Sequence, residues 1–310
     1  MTTFRLKRST TAYQFGALLM VASAACWGIG TVMSKSALSV IPPFTLLAVQ
    51  LIASVIALWL ATLIRREQPL FRWPVIRLGW TGMLEPGLAY ILGLIGLSVT
   101  SASSASFIMA LEPFAIIILA WLLLKERLLM RSLFLMLLAL IGVLLISATA
   151  EGEGVVHSLW GDLLVLAGTV SAALYVVFSS RSVTRLAPMP LAALQQSAGL
   201  LFALLVLPFG LLNGEGQLLQ AVPVSAWLWA MLNGVVQYTL AFSLYLYALQ
   251  RIPATTAAPF LTLIPIFGVL GSVLFLGESF TPLQLIGGSL ILAALFILHS
   301  QRTQSVESHK

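Results

Sequence analysis

One stretch of this chain occurs twice. Ser101 to Arg127 reads SASSASFIMALEPFAIIILAWLLLKER, and Pro253 to Ser279 reads PATTAAPFLTLIPIFGVLGSVLFLGES. A shift of 152 positions carries Ser101 onto Pro253 and superimposes the landmarks. Ala102-Ser103-Ser104-Ala105 falls on Ala254-Thr255-Thr256-Ala257, Pro113 on Pro265 and Glu126 on Glu278. Each copy opens with small residues, carries a proline near its middle and closes on Leu-x-Glu after an apolar run. The chain is therefore a duplication, and its fold must accommodate two copies of one unit.

Charge decides the medium. Charged residues are 8% of the chain and hydrophobic residues 60%, against about 25% charged in a soluble domain. In lipid the backbone must satisfy its own hydrogen bonds, so apolar runs of this length become helices. A spanning helix needs about 20 apolar residues. Ten segments qualify: 14–34, 43–64, 75–97, 100–123, 131–149, 161–180, 190–211, 225–249, 254–276 and 282–299. The expected fold is an all-α integral membrane protein of ten transmembrane helices. The expected organisation is an N-terminal five-helix repeat over 1–149, a linker over 150–160, a second repeat over 161–300 and a tail over 301–310.

Orientation follows from the basic residues. With the N-terminus cytoplasmic, Lys35 alone of the 16 Lys and Arg residues falls on the far side, which is the positive-inside pattern. Both termini are then cytoplasmic, and the 150–160 linker is on the opposite, periplasmic side. Trp73 and Trp80 fall at the inner boundary, and Trp160, Trp227 and Trp229 at the outer. A cleaved signal peptide ending near Ala-Ser-Ala-Ala-Cys is a rival reading of the N-terminus. It would leave nine spans and break the five-plus-five division.

The duplication runs beyond the two opening copies. Ser23-Ala24-Ala25 aligns with Ser171-Ala172-Ala173, Trp27 with Tyr175, Gly82 with Gly234, Leu88-Ala89 with Leu240-Ala241, and Glu85 with Gln237. Five is odd, so the second unit enters the membrane from the other side. Two inverted-topology repeats are a secondary-transporter architecture, with substrate held near the midplane between them.

An Ala-Cys-Trp-Gly turn over Ala25 to Gly28, Leu111-Glu112-Pro113, and the closings Leu124-Lys125-Glu126-Arg127 and Leu276-Gly277-Glu278 resemble the EamA family of the drug/metabolite transporter superfamily. Within it the chain is similar to bacterial exporters of amino acids and related metabolites, of the YddG type. The resemblance covers residues 14–300 and implies export across a bacterial inner membrane. The second unit departs from the pattern, with Ile264-Pro265 where the first has Glu112-Pro113.

Ionisable groups within hydrocarbon are functional candidates. Glu85, before Pro86-Gly87, and Glu112, before Pro113, are the acids deep within spans. Each can bind a substrate ammonium or carry a proton, or else hold a helix kink by hydrogen bonding. Asn233, Gln237, Ala241 and Tyr245 are spaced by four and share one helical face, with Tyr238 beside it. That face looks into a cavity or onto another helix. Trp27, Tyr90 and Tyr175 offer aromatic surface for substrate, or simply pack. Gln50, Gln195 and Gln196 are weaker candidates, because a glutamine can merely bridge helices. Pro113, Pro265, Glu126 and Glu278 are assigned to gating or packing, with the two span-end glutamates expected to pair with Arg or Lys or to be solvated.

No cofactor or metal is expected. Cys26 is the lone cysteine, and His157, His299 and His309 form no ligand cluster. The net charge of +6 belongs to the loops and calls for no nucleic acid. The expected partners are a small-molecule substrate and the bilayer, with a monomer expected and a dimer left open. Transport fits better than membrane catalysis, for which no nucleophile, base or metal set converges, or than a structural role, which needs neither buried carboxylates nor a duplication.

Overall fold

The structure is a computed structural model and describes residues 10–66, 73–99, 108–109, 111–126, 130–147, 159–212, 219, 222–276 and 282–307. Glu278, the Ala102–Ser106 stretch and most of the 150–160 linker lie outside the described residues.

Every described element is helical. Two long helices open the chain, α1 (Thr10–Leu38) and α2 (Pro43–Ile64). A broken helix comes next, made of α3 (Trp73–Ile76), a 3-10 segment (Arg77–Met83), a π turn (Leu84–Leu88) and α4 (Ala89–Val99). Then come α5 (Glu112–Leu119), with a π turn over Ala120–Leu124, and α6 (Met130–Ser147). The second half repeats the plan. It has α7 (Leu159–Ser182) and α8 (Pro188–Gly210), then α9 (Val224–Asn233) and α10 (Ala241–Leu249) joined by a π turn over Gly234–Leu240. It closes with α11 (Ala254–Ala257), a 3-10 segment (Ala258–Leu263), α12 (Ile264–Leu276) and α13 (Pro282–Glu307).

Five described helices are long and apolar enough to cross a membrane: Thr11–Leu38, Pro43–Ile64, Leu159–Ser182, Pro188–Gly210 and Ala254–Gly271. Glu112–Leu124, Leu133–Leu145 and Leu285–Ile297 are apolar but shorter.

The halves exchange partners. α1 packs on α10 and α12 of the second half, and α7 packs on α4 and α5 of the first. α2 lies against the Gly234–Leu240 turn, α8 against the Arg77–Met83 segment, and α6 against α13. Glycines set these approaches. A Cβ on Gly82 would lie 1.7 Å from the carbonyl oxygen of Gln195, and one on Gly234 would lie 2.3 Å from that of Gln50. Gly82 and Gly234 are equivalent under the 152-residue shift, and Gln50 and Gln195 each lie seven residues after the proline that opens α2 or α8. The same backbone crossing is thus built twice. Close approach through small residues is how helices gain packing energy where lipid is as apolar as the helix surface.

One sequence expectation is corrected. Ala25 to Gly28 form no turn but lie within α1; Gly28 is there because a Cβ would meet Ile264 O at 2.5 Å. Pro113 stands in the first turn of α5, where its missing N–H is no loss, and Pro265 follows closely on the 3-10 segment within the apolar run Ala254–Gly271.

Candidate functional site

The helix broken at Glu85 and its second-half counterpart, α9 and α10 joined by the π turn, carry the site. At Glu85 the backbone is extended (φ −148, ψ 126), and the bond to Pro86 is cis. Serines of the equivalent small-residue faces reach backbone carbonyls of these helices. Ser171 Oγ donates to Leu84 O at 3.0 Å, and Ser23 Oγ donates to Ala241 O at 2.7 Å. The small residues around those serines let α7 and α1 come close enough to do so.

Between the halves lies a cavity of about 560 Å³. Trp27, Glu85, Tyr90, Glu112, Pro113, Tyr175, Gln237, Tyr238 and Pro265 all line it, so residues distant in sequence converge. No Lys, Arg or His is among its lining residues. Glu85 and Glu112 are within electrostatic reach of each other.

The aromatic wall is ordered around Phe242, which sequence reading passed over. Trp27 and Tyr175, equivalent in the two repeats, both present edges to it, at centroid distances of 5.0 Å and 5.6 Å. Tyr238 stacks on it at 6.2 Å, and Tyr90 lies 5.7 Å from Tyr238. Edge and offset contacts of this kind fix aromatic rings as rigid surfaces. Tyr245 also lines the cavity, 5.3 Å from Trp27.

Asn233 does not line the cavity. It is fully buried and donates through Nδ2 to Ser34 Oγ at 2.7 Å. Ala241 is buried too, beneath Ser23. The four-residue spacing fails because the π turn between them bonds i→i+5 and rotates the helix beyond it. Ser34 is the hub that sequence reading missed. It also accepts from Gln50 Nε2 at 3.0 Å and donates to Gln237 Oε1 at 2.9 Å. Its signal was available, since Ser34 lies two turns past Trp27 on the same face.

Gln195 is the counterpart of Gln50. Its Nε2 donates to Thr81 Oγ1 at 2.7 Å and to Ser179 Oγ at 2.9 Å, and its Oε1 accepts from Tyr175 OH at 3.1 Å. Both glutamines bridge helices, and Gln50 also lines the cavity while Gln195 does not. The Gln196 amide is buried with no hydrogen-bond partner among the described residues.

The cavity reaches Leu38, Pro43 and Leu46 at one end and Tyr245 and Leu261 at the other. Beyond Tyr245 lies a layer of polar contacts. Arg65 Nη1 donates to Tyr247 OH at 3.2 Å, Gln250 Nε2 to Val183 O at 3.1 Å, and Arg181 to Leu123 O. Glu126 belongs to this layer, but its described partner is neither Arg nor Lys. Its Oε2 accepts from Thr255 N at 3.0 Å and from Thr255 Oγ1 at 2.6 Å, capping the helix that opens the second repeat copy. Lys125, left-handed at φ 55, turns Glu126 back toward it. The matching position in the second copy is Gly277, the residue type that takes that conformation without strain; it lies outside the described residues.

The profile of the EamA-like transporter family matches residues 14–148 and 159–300, one match per half. The chain belongs to the EamA-like transporter family. Among relatives of this EamA-like chain is the uncharacterized transporter YetK of Bacillus subtilis, 26% identical over 94% of the chain and 89% of YetK. A probable amino-acid metabolite efflux pump of Salmonella typhimurium is 28% identical over 91% of the chain and 93% of the pump. The threonine/homoserine exporter RhtA of Escherichia coli is 28% identical, over 46% of each chain. A solved crystal structure superimposes with a TM-score of 0.76 at 20% identity, over 94% of this chain and 98% of the other. That likeness supports the EamA-like fold alone.

Proposed function

We propose that this EamA-like transporter exports amino acids and related small metabolites across a bacterial inner membrane. The single observation that carries the reading is the cavity at the seam where helices of both halves meet. In this reading the chain has ten spans as two inverted five-helix repeats, divided at the 150–160 linker, with both termini cytoplasmic. The Glu126–Thr255 layer is then the cytoplasmic closure, and the Leu38–Pro43 end faces outward. Alternating access replaces this arrangement with its counterpart in the other half. The cavity is complete within one chain, so a monomer suffices.

Aromatic walls suit apolar and aromatic side chains, and Glu85 or Glu112 suits an ammonium group. The efflux pump and RhtA support amino-acid cargo. One observation favours a second cargo, organic cations: two carboxylates line the cavity without a basic residue beside them. Counterflow in proteoliposomes with neutral, aromatic and cationic amino acids tests the proposal. Saturable exchange is expected, and its loss is expected in Glu85→Gln and Tyr238→Ala at normal expression. Absence of exchange with every amino acid would refute amino-acid export.

A further inference from the structure

We propose that the side-chain amide nitrogen of Gln237, held in place by Ser34, receives the carboxylate of the cargo, so that this transporter selects zwitterions over amines that lack an acid group. The inference rests on the cavity being an amino-acid transport site, and it adds the residues that recognise the acid group.

Gln237 stands in the π turn over Gly234–Leu240, is buried, and lines the cavity. Helix α1 pins its side chain at two points. A Cβ on Gly30 would lie 2.6 Å from Gln237 Cβ and 2.9 Å from its Cγ, so a glycine there leaves room for the stem. One turn further on, the Ser34 hydroxyl donates to Gln237 Oε1 at 2.9 Å. Gly30 and Ser34 are four residues apart and share one face of α1. With its oxygen tied to Ser34, the amide turns its nitrogen away from the hub. That nitrogen has no hydrogen-bond partner among the described residues.

The network runs in one direction. A hydroxyl carries a single proton. Ser34 accepts from Gln50 Nε2 at 3.0 Å and from Asn233 Nδ2 at 2.7 Å, and gives its own proton to Gln237. Each bond points the same way, from buried amides of α2 and α9 through Ser34 to Gln237. Hydrogen bonds in such a chain polarise one another, which makes the N–H groups at its end better donors. The bracket in the other half ends differently. Gln195 spends its nitrogen on Thr81 and Ser179 and its oxygen on Tyr175. A pure brace uses up its amide, whereas Gln237 keeps one end for a ligand.

What that end takes follows from charge. No Lys or Arg is among the residues lining the cavity, so neutral donors must meet an acid group on the cargo. The threonine hydroxyls of the lining are spent on their own helices: Thr31 donates to Trp27 O, Thr169 to Val165 O and Thr262 to Pro259 O. A fixed N–H donor in a space of low dielectric favours a charged acceptor. The shift of 152 residues pairs Gln237 with Glu85. Equivalent positions of the two halves thus offer a carboxylate for an ammonium group and an amide for a carboxylate, which are the two charges of an amino acid. An amine without an acid group leaves the amide unmet.

The test is counterflow by the purified full-length protein in proteoliposomes. L-phenylalanine and L-threonine are each compared with the amine left when the carboxylate is removed, phenethylamine and 1-amino-2-propanol. The wild type should be half-saturated by the amino acid at about 10–100-fold lower concentration than by its amine, the span of a hydrogen bond to a charged group. Gln237→Leu and Ser34→Ala should each bring that ratio to within about threefold of unity, by weakening the amino acid and sparing the amine. A loss of packing alone would weaken both. Ser34→Thr, which keeps the hydroxyl, should keep the ratio. Tyr245→Phe removes another unpartnered hydroxyl that lines the cavity and should not move the ratio. A wild-type ratio near unity overturns the proposal and leaves a cation cargo standing. A ratio that survives in both Gln237→Leu and Ser34→Ala, or that is lost in Tyr245→Phe, also overturns it and leaves amino-acid transport standing. No exchange of either amino acid overturns it together with amino-acid export.

Discussion

The replacement Gly82→Ala tests the crossing that places Glu85 in the cavity. The added Cβ would sit 1.7 Å from Gln195 O, 2.4 Å from its carbonyl carbon and 2.8 Å from its Cα, all of them backbone atoms. A carbon and a carbonyl oxygen settle at about 3.3 Å, so the helices must part by about 1.6 Å. No side chain can swing away to absorb this. A gap of 0.5–1 Å already forfeits about a quarter to a half of each dispersion contact. The same displacement stretches the bond from Gln195 Nε2 to Thr81, now 2.7 Å. Overpacking against a rigid neighbour costs about 1–3 kcal/mol, and the broken Thr81 bond adds about 1 kcal/mol. Gly234→Ala meets Gln50 O at 2.3 Å, needs a shift of only about 1.0 Å, and should cost less. Gly288→Ala, with nothing within 4 Å of its Cβ, should stay within about 0.5 kcal/mol. Thermal unfolding in detergent, read by size-exclusion of the heated protein, should order the three as Gly82, Gly234, Gly288 from least to most stable. Counterflow by Gly82→Ala should fall at temperatures where the variant is still folded, because Glu85 lies one turn further along. If Gly82→Ala melts with the wild type, the close approach is wrong, and the placement of Glu85 goes with it.

Two further outcomes are expected. Gln196→Leu should raise stability by about 1–3 kcal/mol, since it removes a partnerless buried amide and restores the Gln-Leu pair found at Gln50-Leu51; a melting temperature below the wild type would contradict this. Thr255→Val removes a 2.6 Å bond to Glu126, worth about 1.5–3 kcal/mol because the acceptor is charged. Weakening that closure should speed thiol labelling of Leu261→Cys from the Glu126 side by about 10–100-fold, at about 1.4 kcal/mol per tenfold, in a Cys26→Ala background. An unchanged rate would show that this layer is no barrier.

Much of the site was legible in the residues. Glu85 and Glu112 stood out because charge is scarce in this chain and expensive in hydrocarbon. Trp27 and Tyr175 stood out because the duplication paired them, and both line the cavity. What misled was helical spacing. It assumes an unbroken helix, and the π turn over Gly234–Leu240 took Asn233 and Ala241 off the face that Gln237 and Tyr245 share. Glu126 was read as an ion-pair or solvated residue because its charge was visible and the nearby N-terminus of α11 was not.

By itself the sequence determined the medium, the duplication and the family, because hydropathy, charge placement and internal repetition are properties of the chain read end to end. Partner choice was left to the tertiary structure. In lipid the outside of a helix is as apolar as its packed side, so no polar stripe marks which face turns inward. That α1 leans on α10 and α12, that Gln50 and Gln195 brace matching crossings, and that Ser34 and Tyr245 join the cavity were settled by glycine contacts, serine-to-carbonyl bonds and buried amides. Those interactions exist only once two distant segments are brought within a few ångströms of each other.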